Sequence, residues 1–367
     1  MTLTLLPNTT KLEGERMSQQ SNSLPPRSSG RKGPPAKAGK DKKKKRNPLL
    51  KAFFFLFFGL LLTAAALIVV VALKTSDAID TIALDETEAT PVPVKESVKQ
   101  KPVAFVLMGI DSRDHGGGLN TDVMMVAAFN PTTKKATVVA IPRDTYVEVE
   151  GYRGRKANRF YADNYVVATR DKGLSKEAAD LEAKKAVKEV MGKLFDIDIK
   201  YASMINFQGF SDVVDALGGI TVNVDMRMKY EDTRDGTNID LQPGIQTLKG
   251  KEALDFVRYR KSNDGKNMSS DFDRNRRQSE VLGAIVDKLV SIGGIPKIGG
   301  VIEAVGKNIS ADMQRQEITR MLETYYSIRS SDIEFLSLEG VWKSPNVYID
   351  EASHAKVKAA LQAKMAE

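Results

Sequence analysis

Between Val103 and Thr145 the chain reads VAFVLMGIDSRDHGGGLNTDVMMVAAFNPTTKKATVVAIPRDT, and no other stretch restricts the fold so tightly. It holds three apolar runs, Val103–Ile110, Val123–Phe129 and Ala136–Ile141. Each is of strand length, rich in Val, Ile, Phe and Met, and too continuous to leave one face in water. That predicts buried strands of a covered sheet in an α/β fold. Charged residues punctuate the runs: Asp111 ends the first, Asp122 opens the second, and Arg143 and Asp144 close the third. If the first two runs pair antiparallel, Asp111 and Asp122 share one rim of the sheet, and a hairpin through Asn130–Lys135 returns Arg143 to it. Two carboxylates and a guanidinium on one edge can hold a metal ion or an anion. Asp at a strand end is also ordinary turn chemistry, so spacing alone leaves both readings open.

The net charge of +8 is unevenly placed. Residues 1–51 carry 13 Lys/Arg against 3 Asp/Glu, so the rest of the chain is weakly acidic. Residues 1–48, rich in Ser, Gly, Pro and Lys and closing on Lys42–Arg46, have a composition that cannot bury a core and are expected to be a disordered basic tail. Met17 is a second candidate start. Residues 49–73 are expected to be a transmembrane helix. Their uncharged part, Ala52–Leu73, is 22 residues long, enough for roughly 30 Å of helix. A cleaved signal peptide is the rival, with small residues at Thr63–Ala66, but the run is longer than a signal h-region. The basic cluster just ahead of the span keeps the N-terminus cytoplasmic and exports the chain beyond Leu73. Residues 74–100, polar and proline-containing, form an extracytoplasmic linker, and residues 101–367 a single domain closed by C-terminal helices. A nucleic-acid role is disfavoured, because the polybasic run lacks aromatic interleaving and the domain faces away from the cytoplasm. The absence of cysteine removes disulfides, thiolate metal sites and a Cys nucleophile.

Further along, Gly151–Arg159 reads as a basic loop, Ser175 caps a helix through Phe195, and Asn206–Leu217 is a helix stopped by Gly218-Gly219. Ile220–Val224 reads as a short strand, Tyr230–Leu241 as a polar loop or hairpin, and Leu248–Val257 as a helix. In Arg258-Tyr259-Arg260 the two arginines can reach one ligand only if the backbone is extended there. Asp271-Phe272-Asp273 opens a helix in which Arg274 and Gln278 lie one turn apart on one face. Three arginines in its first turns, Arg274, Arg276 and Arg277, oppose the helix dipole, a conflict that an anion at that end resolves. Gly293–Gly306, Gln314–Ile328 and Asp350–Met365 read as helices, and Asp332–Leu338 as a strand. The two histidines lack any serine-protease context.

Gly109-Ile110-Asp111-Ser112-Arg113, Thr121-Asp122, Ile141–Thr145, Val213–Gly219, Val257–Arg260 and Asp271–Gln278 together, in this order behind a basic tail and a single span, resemble the LytR-CpsA-Psr family. The resemblance runs from about Val103 to Lys288 and implies an α/β/α sandwich around a mixed β-sheet, with a lipid tail in an apolar tunnel. The activity it implies is phosphotransfer: an anionic glycopolymer, a teichoic acid or capsule, leaves a polyprenyl-pyrophosphate carrier and is joined by a phosphodiester to peptidoglycan at the muramic acid C6 hydroxyl. Residue by residue, Asp111 and Asp122 match magnesium ligands, with manganese the alternative ion. Arg143, Arg258, Arg260, Arg274 and Gln278 match a pyrophosphate-binding set, joined by Lys156. Asp122 and Asp144 are the candidates for taking the proton of the sugar hydroxyl, and Arg143, Arg258 and Arg260 for stabilising charge. Phe207–Leu217 and Met124-Met125-Val126 could line the tunnel or simply be core. Where the family commonly has Arg two residues before the second aspartate, this chain has Asn120, so either Arg113 substitutes or substrate binding differs. A lipid-pyrophosphate hydrolase and a non-catalytic envelope-binding or regulatory protein are the alternative readings.

Overall fold

The computed structural model describes residues 79–80, 83–84, 91–111, 118–233, 236–291, 301–304 and 306–366. The basic tail, the expected membrane helix, most of the linker and most of the expected helix over Gly293–Gly306 lie outside the described residues. Among the described residues no helix is long and apolar enough to cross a membrane.

The three apolar runs are strands β1 (Val103–Ile110), β2 (Thr121–Asn130) and β3 (Lys135–Ala140). β1 and β2 are antiparallel, from Val103 opposite Phe129 to Ile110 opposite Thr121, and β2 and β3 form the expected hairpin. Its turn is held by Asn130, whose Oδ1 accepts from the Thr132 and Thr133 amides at 2.8 and 3.1 Å. Strands β4 (Tyr146–Val149) and β5 (Tyr152–Lys156) come next as a separate two-stranded hairpin. Gly151–Arg159 is therefore not a loop: Gly151 makes the turn at φ +81°, β5 spans Tyr152–Lys156, and helix α1 (Arg159–Arg170) starts at once. The charged side chains of Arg153, Arg155 and Lys156 hid the strand, although the hairpin packs Val147, Val149 and Tyr152 against the core.

Helix α2 (Lys176–Phe195) is capped as expected, with Ser175 Oγ accepting from the Ala178 amide at 3.2 Å. β6 (Ile199–Asn206) then pairs parallel to β1. Asn206 caps helix α3 (Phe207–Ala216), its Oδ1 accepting from the Gly209 amide at 2.8 Å. Gly218 and Gly219, at φ +79° and +99°, end that helix. β7 (Ile220–Val224) lies where expected and pairs with β10 (Gly244–Leu248), while β8 (Met228–Asp232) and β9 (Thr237–Leu241) form a hairpin in the segment read as loop or hairpin. Helix α4 (Gly250–Arg258) and helix α5 (Asp271–Ser291) come next. The chain closes with β11 (Ile309–Ala311), α6 (Arg315–Tyr325), β12 (Ile333–Ser337), the hairpin β13 (Gly340–Lys343) and β14 (Asn346–Ile349), and α7 (Glu351–Ala366).

The main sheet has the order β11-β6-β1-β2-β3-β12, mixed in direction. Successive β1 residues face opposite ways. Ala104, Val106 and Met108 join Val187, Val190 and Met191 of α2 and Val357 and Leu361 of α7. Strand residues of the other face, such as Ala127 and Val138, pack with Tyr325 of α6 and Leu282 and Val286 of α5. Helices thus cover both faces, which is why these strands carry no polar alternation. Each buried Val, Ile or Phe contributes about 1.5–3 kcal/mol relative to exposure. A second apolar cluster, including Val214, Ile220, Ile239, Phe256 and Val281, ties the small hairpins to α3, α4 and α5.

Candidate functional site

The topology decides where charge can gather. β1, β3, β6 and β12 all run toward one edge of the sheet, and β2 starts there. That edge receives Asp111 after β1, Asp122 at the start of β2 and Arg143-Asp144 after β3. In open α/β sheets such an edge, at the carboxyl ends of parallel strands, is the usual place for a ligand. The Gly118 amide donates to the Asp111 carbonyl at 2.6 Å, closing the loop between the first two strands. Arg113 lies outside the described residues, and Asn120 is exposed on the rim beside Thr121.

Arg143 Nη1 donates to Asp122 Oδ1 at 2.6 Å, and its Nε lies 3.6 Å from Asp144 Oδ2. Lys156 Nζ donates to Asp144 Oδ1 at 2.8 Å. The strap behind Lys156 is fixed by backbone: Ala157 N donates to Thr145 O, Asn158 N to Arg143 O, and Thr121 N to Asn158 O. This strap explains how a residue from a hairpin outside the main sheet reaches the rim.

From the far side come the other arginines. Helix α4 ends at Arg258, and Tyr259 leaves it with φ −56° and ψ 133°, so the backbone is extended where the two arginines require it. Tyr259 is buried, with its hydroxyl 2.9 Å from Ser262 Oγ. Arg258 rests on the Phe207 ring, 4.6 Å from its centroid. Helix α5 opens with a reciprocal cap, Asp273 N to Ser270 Oγ at 3.1 Å and Ser270 N to Asp273 Oδ2 at 2.9 Å. The cap is thus Ser270, one residue ahead of the Asp271-Phe272-Asp273 run that opens the helix. The three arginines of its first turns divide. Arg277 is fully buried and held by Asp225 through Nε–Oδ1 and Nη2–Oδ2 bonds of 2.9 Å each, and Arg276 reaches the same carboxylate at 2.7 Å. Arg274, which also contacts Asp271, instead lines the cavity at the rim. The dipole conflict expected from the sequence is therefore half structural.

Arg143, Arg258, Arg260, Arg274, Gln278 and Asp122 line one cavity of about 610 Å³. Away from the rim its wall is apolar. Val123, Met125, Leu107 and Gly109 come from the sheet, Phe207, Phe210 and Val213 from α3, and Val281, Leu282 and Ile285 from α5. Of the strand residues considered for a tunnel, Met125 lines it, whereas Met124 and Val126 point into the core on the other face. Tyr230, Asp232, Thr237 and Ile239 of the β8–β9 hairpin also line it. The period-two pattern of Met228, Tyr230 and Asp232 was their only sequence signal. Asp111, Asp144 and Lys156 are not part of the lining.

The cationic end is under electrostatic tension. Burial first, then the neighbouring Arg260 and Arg143, push the Arg274 guanidinium down to about 9. Loss of hydration and the nearby Arg143 push Arg260 down as well, although Asp122 and Asp144 oppose this. Five buried side-chain polar atoms among the described residues lack a hydrogen-bond partner: Thr121 Oγ1, Arg143 Nε, Thr145 Oγ1, Asn158 Oδ1 and Arg274 Nε. All belong to the rim, its strap or the cavity lining. A fold that satisfies its buried polar groups elsewhere leaves them open where a ligand binds.

These features define an α/β/α domain with one cavity that has an apolar wall and arginines at its rim. The LytR_cpsA_psr family model matches residues 68–367, and the chain belongs to that family. It is 30% identical over 248 residues to the polyisoprenyl-teichoic acid–peptidoglycan teichoic acid transferase TagU of Oceanobacillus iheyensis, covering 67% of this chain and 70% of that protein. It is 29% identical over 262 residues to the transferase TagT of Bacillus subtilis, covering 70% and 73%. The crystal structure of B. subtilis TagV superposes with a TM-score of 0.57 at 27% identity, over 73% of this chain and 99% of that one.

Proposed function

We propose that this chain is a membrane-anchored phosphotransferase that moves an anionic glycopolymer of teichoic acid or capsule type from a polyprenyl-pyrophosphate carrier to peptidoglycan. The observation that carries this reading is the single cavity with an apolar wall and a rim of four arginines. A lipid tail and a pyrophosphate are the two chemistries it can hold at once. The names of TagU and TagT support the same substrates. The uncharged run Ala52–Leu73 supports an anchor with the domain outside the membrane.

In this reading the polyprenyl chain lies against Met125, Phe210 and Ile285. Arg258, Arg260 and Arg274, with Gln278 one turn along α5, hold the pyrophosphate oxygens through guanidinium forks. The muramic acid C6 hydroxyl attacks the glycan-proximal phosphorus. A new P–O bond forms, the bond to the bridging oxygen breaks, and polyprenyl phosphate departs with the electron pair. The hydroxyl proton passes to a rim carboxylate: Asp122 lines the cavity and accepts from Arg143, and Asp144 is engaged by both Lys156 and Arg143. Arg143 is placed to stabilise charge that builds on the transferred phosphoryl group.

Asp111 and Asp122 fit magnesium, a hard ion that takes one or two carboxylates and completes its shell with phosphate oxygens and water. Among the described residues no group of three His, Cys, Asp or Glu could hold a metal. Manganese suits the same donors. When bound, the ion supplies neutralisation of the pyrophosphate charge.

The test is product analysis with a synthetic polyprenyl-pyrophosphate glycan and peptidoglycan oligomers, with and without magnesium. The expected product is glycan joined to oligomer, with Arg258→Ala slower by about a hundredfold or more. Glycan phosphate released without joining would replace the transferase with a hydrolase.

A further inference from the structure

Trp342 is the one tryptophan of the chain, and it is 55% exposed. It belongs to β13, whose partner β14 docks beside the rim: Val347 N donates to Asp144 O at 2.9 Å, and Val347 bridges to Thr145. The indole lies over Lys156, whose Nζ is 5.9 Å from the ring centroid. Lys156 holds Asp144 at 2.8 Å, and Asp144 lies 3.6 Å from Arg143. A continuous line of contacts thus joins an open aromatic ring to the guanidinium at the rim. Arg143 lines the lipid-sized cavity; Asp144, Lys156 and Trp342 do not. The indole therefore reaches Arg143 through Lys156 and Asp144, outside the lining of the donor's cavity.

We propose that Trp342, with Lys156 and Asp144, forms the platform on which the acceptor glycan strand lies. This deepens the transferase reading and rests on it. A pyranose presents axial C–H groups on one face and hydroxyls around its edge. The C–H face stacks on the negative face of an indole, while the edge needs hydrogen-bonding groups beside the ring. Lys156 and Asp144 supply them here. A membrane contact fits less well. In the hairpin Val341 pairs with Tyr348 and Trp342 with Val347, so the exposed Val341 and Tyr348 lie on the face opposite Trp342. Insertion into lipid requires one contiguous apolar face.

The lone tryptophan is its own reporter. The full chain in phosphatidylcholine nanodiscs is titrated with GlcNAc–MurNAc oligomers stripped of stem peptides, and indole emission is monitored. The proposal expects a saturable blue shift. In transfer assays it expects Trp342→Ala to raise the acceptor KM about tenfold, far more than the donor KM, with Trp342→Phe recovering most of the loss. Transfer by the wild type without any emission response to glycan would overturn the platform. So would an unchanged acceptor KM in Trp342→Ala, or quenching by brominated lipid in place of a glycan response. A glycan response in a chain that transfers nothing would instead retain the platform and sink the transferase reading.

Discussion

Arg274 shows most clearly what a single residue contributes to this site. It is buried and lies beside Arg260 and Arg143, and its guanidinium is pushed down to about 9. A cation whose value is lower in the folded than in the unfolded chain weakens the fold while it is charged, so at neutral pH the free protein holds this charge at the expense of stability. A pyrophosphate relieves that strain and binds the charged form. Arg274→Ala is therefore expected to weaken binding of a polyprenyl pyrophosphate by about tenfold or more, read by calorimetric titration. An unchanged affinity would remove Arg274 from the headgroup site. The one-turn spacing of Arg274 and Gln278 is visible in the sequence. The different fate of Arg277 is not, because its partner Asp225 is 52 positions away.

At the scale of elements, two contacts aim the arginine-bearing helices. Asp225 grips Arg277 and so sets the start of α5. Burial raises the carboxyl, but the Arg277 bonds outweigh it and hold Asp225 below the usual carboxylate range. Its stabilisation is thus present above about pH 4 and lost as pH falls through the folded value. Asp225→Asn leaves a fully buried guanidinium uncompensated and is expected to cost about 3–5 kcal/mol in a denaturant titration. The second contact joins α3 to α4, where Asp215 Oδ1 accepts from the Gly250 amide at 2.8 Å. A Cβ on Gly250 would sit 2.3 Å from the Ser211 carbonyl oxygen. Gly250→Ala is therefore expected to push α4, and Arg258 with it, off the rim, lowering stability by about 1–3 kcal/mol and pyrophosphate affinity together. An unchanged affinity in a folded Gly250→Ala variant would contradict this. The Val213–Gly219 motif is legible as a conspicuous string, but its role, a carboxylate that anchors the next helix, emerges only in the fold. Likewise Gly151–Arg159 reads as a loop because its own residues are mostly charged, while the apolar side of the hairpin is supplied largely by Val147 and Val149 of the preceding strand.

For the whole molecule, the sheet order brings Asp122 and Arg143, from one short stretch, to the arginines that come more than a hundred residues later. The strand-length runs of Val103–Ile141 make the covered sheet and its shared rim legible, since hydrophobic continuity and turn chemistry are local properties. The apolar cavity is less so. Met125 and Met124 are adjacent and chemically alike, and only the pleat sends one to the cavity and the other to the core. The open indole of Trp342 has no local signal at all. The central claim is that rim and cavity form one site for one amphipathic ligand, and its most direct test is comparative titration. The full chain is titrated with a short polyprenyl pyrophosphate, the matching polyprenol and inorganic pyrophosphate. The account predicts that the joined molecule binds at least about a hundredfold tighter than either part, since the second part binds without a second loss of freedom. If polyprenol or pyrophosphate alone binds as tightly as the joined molecule, rim and cavity are not one site.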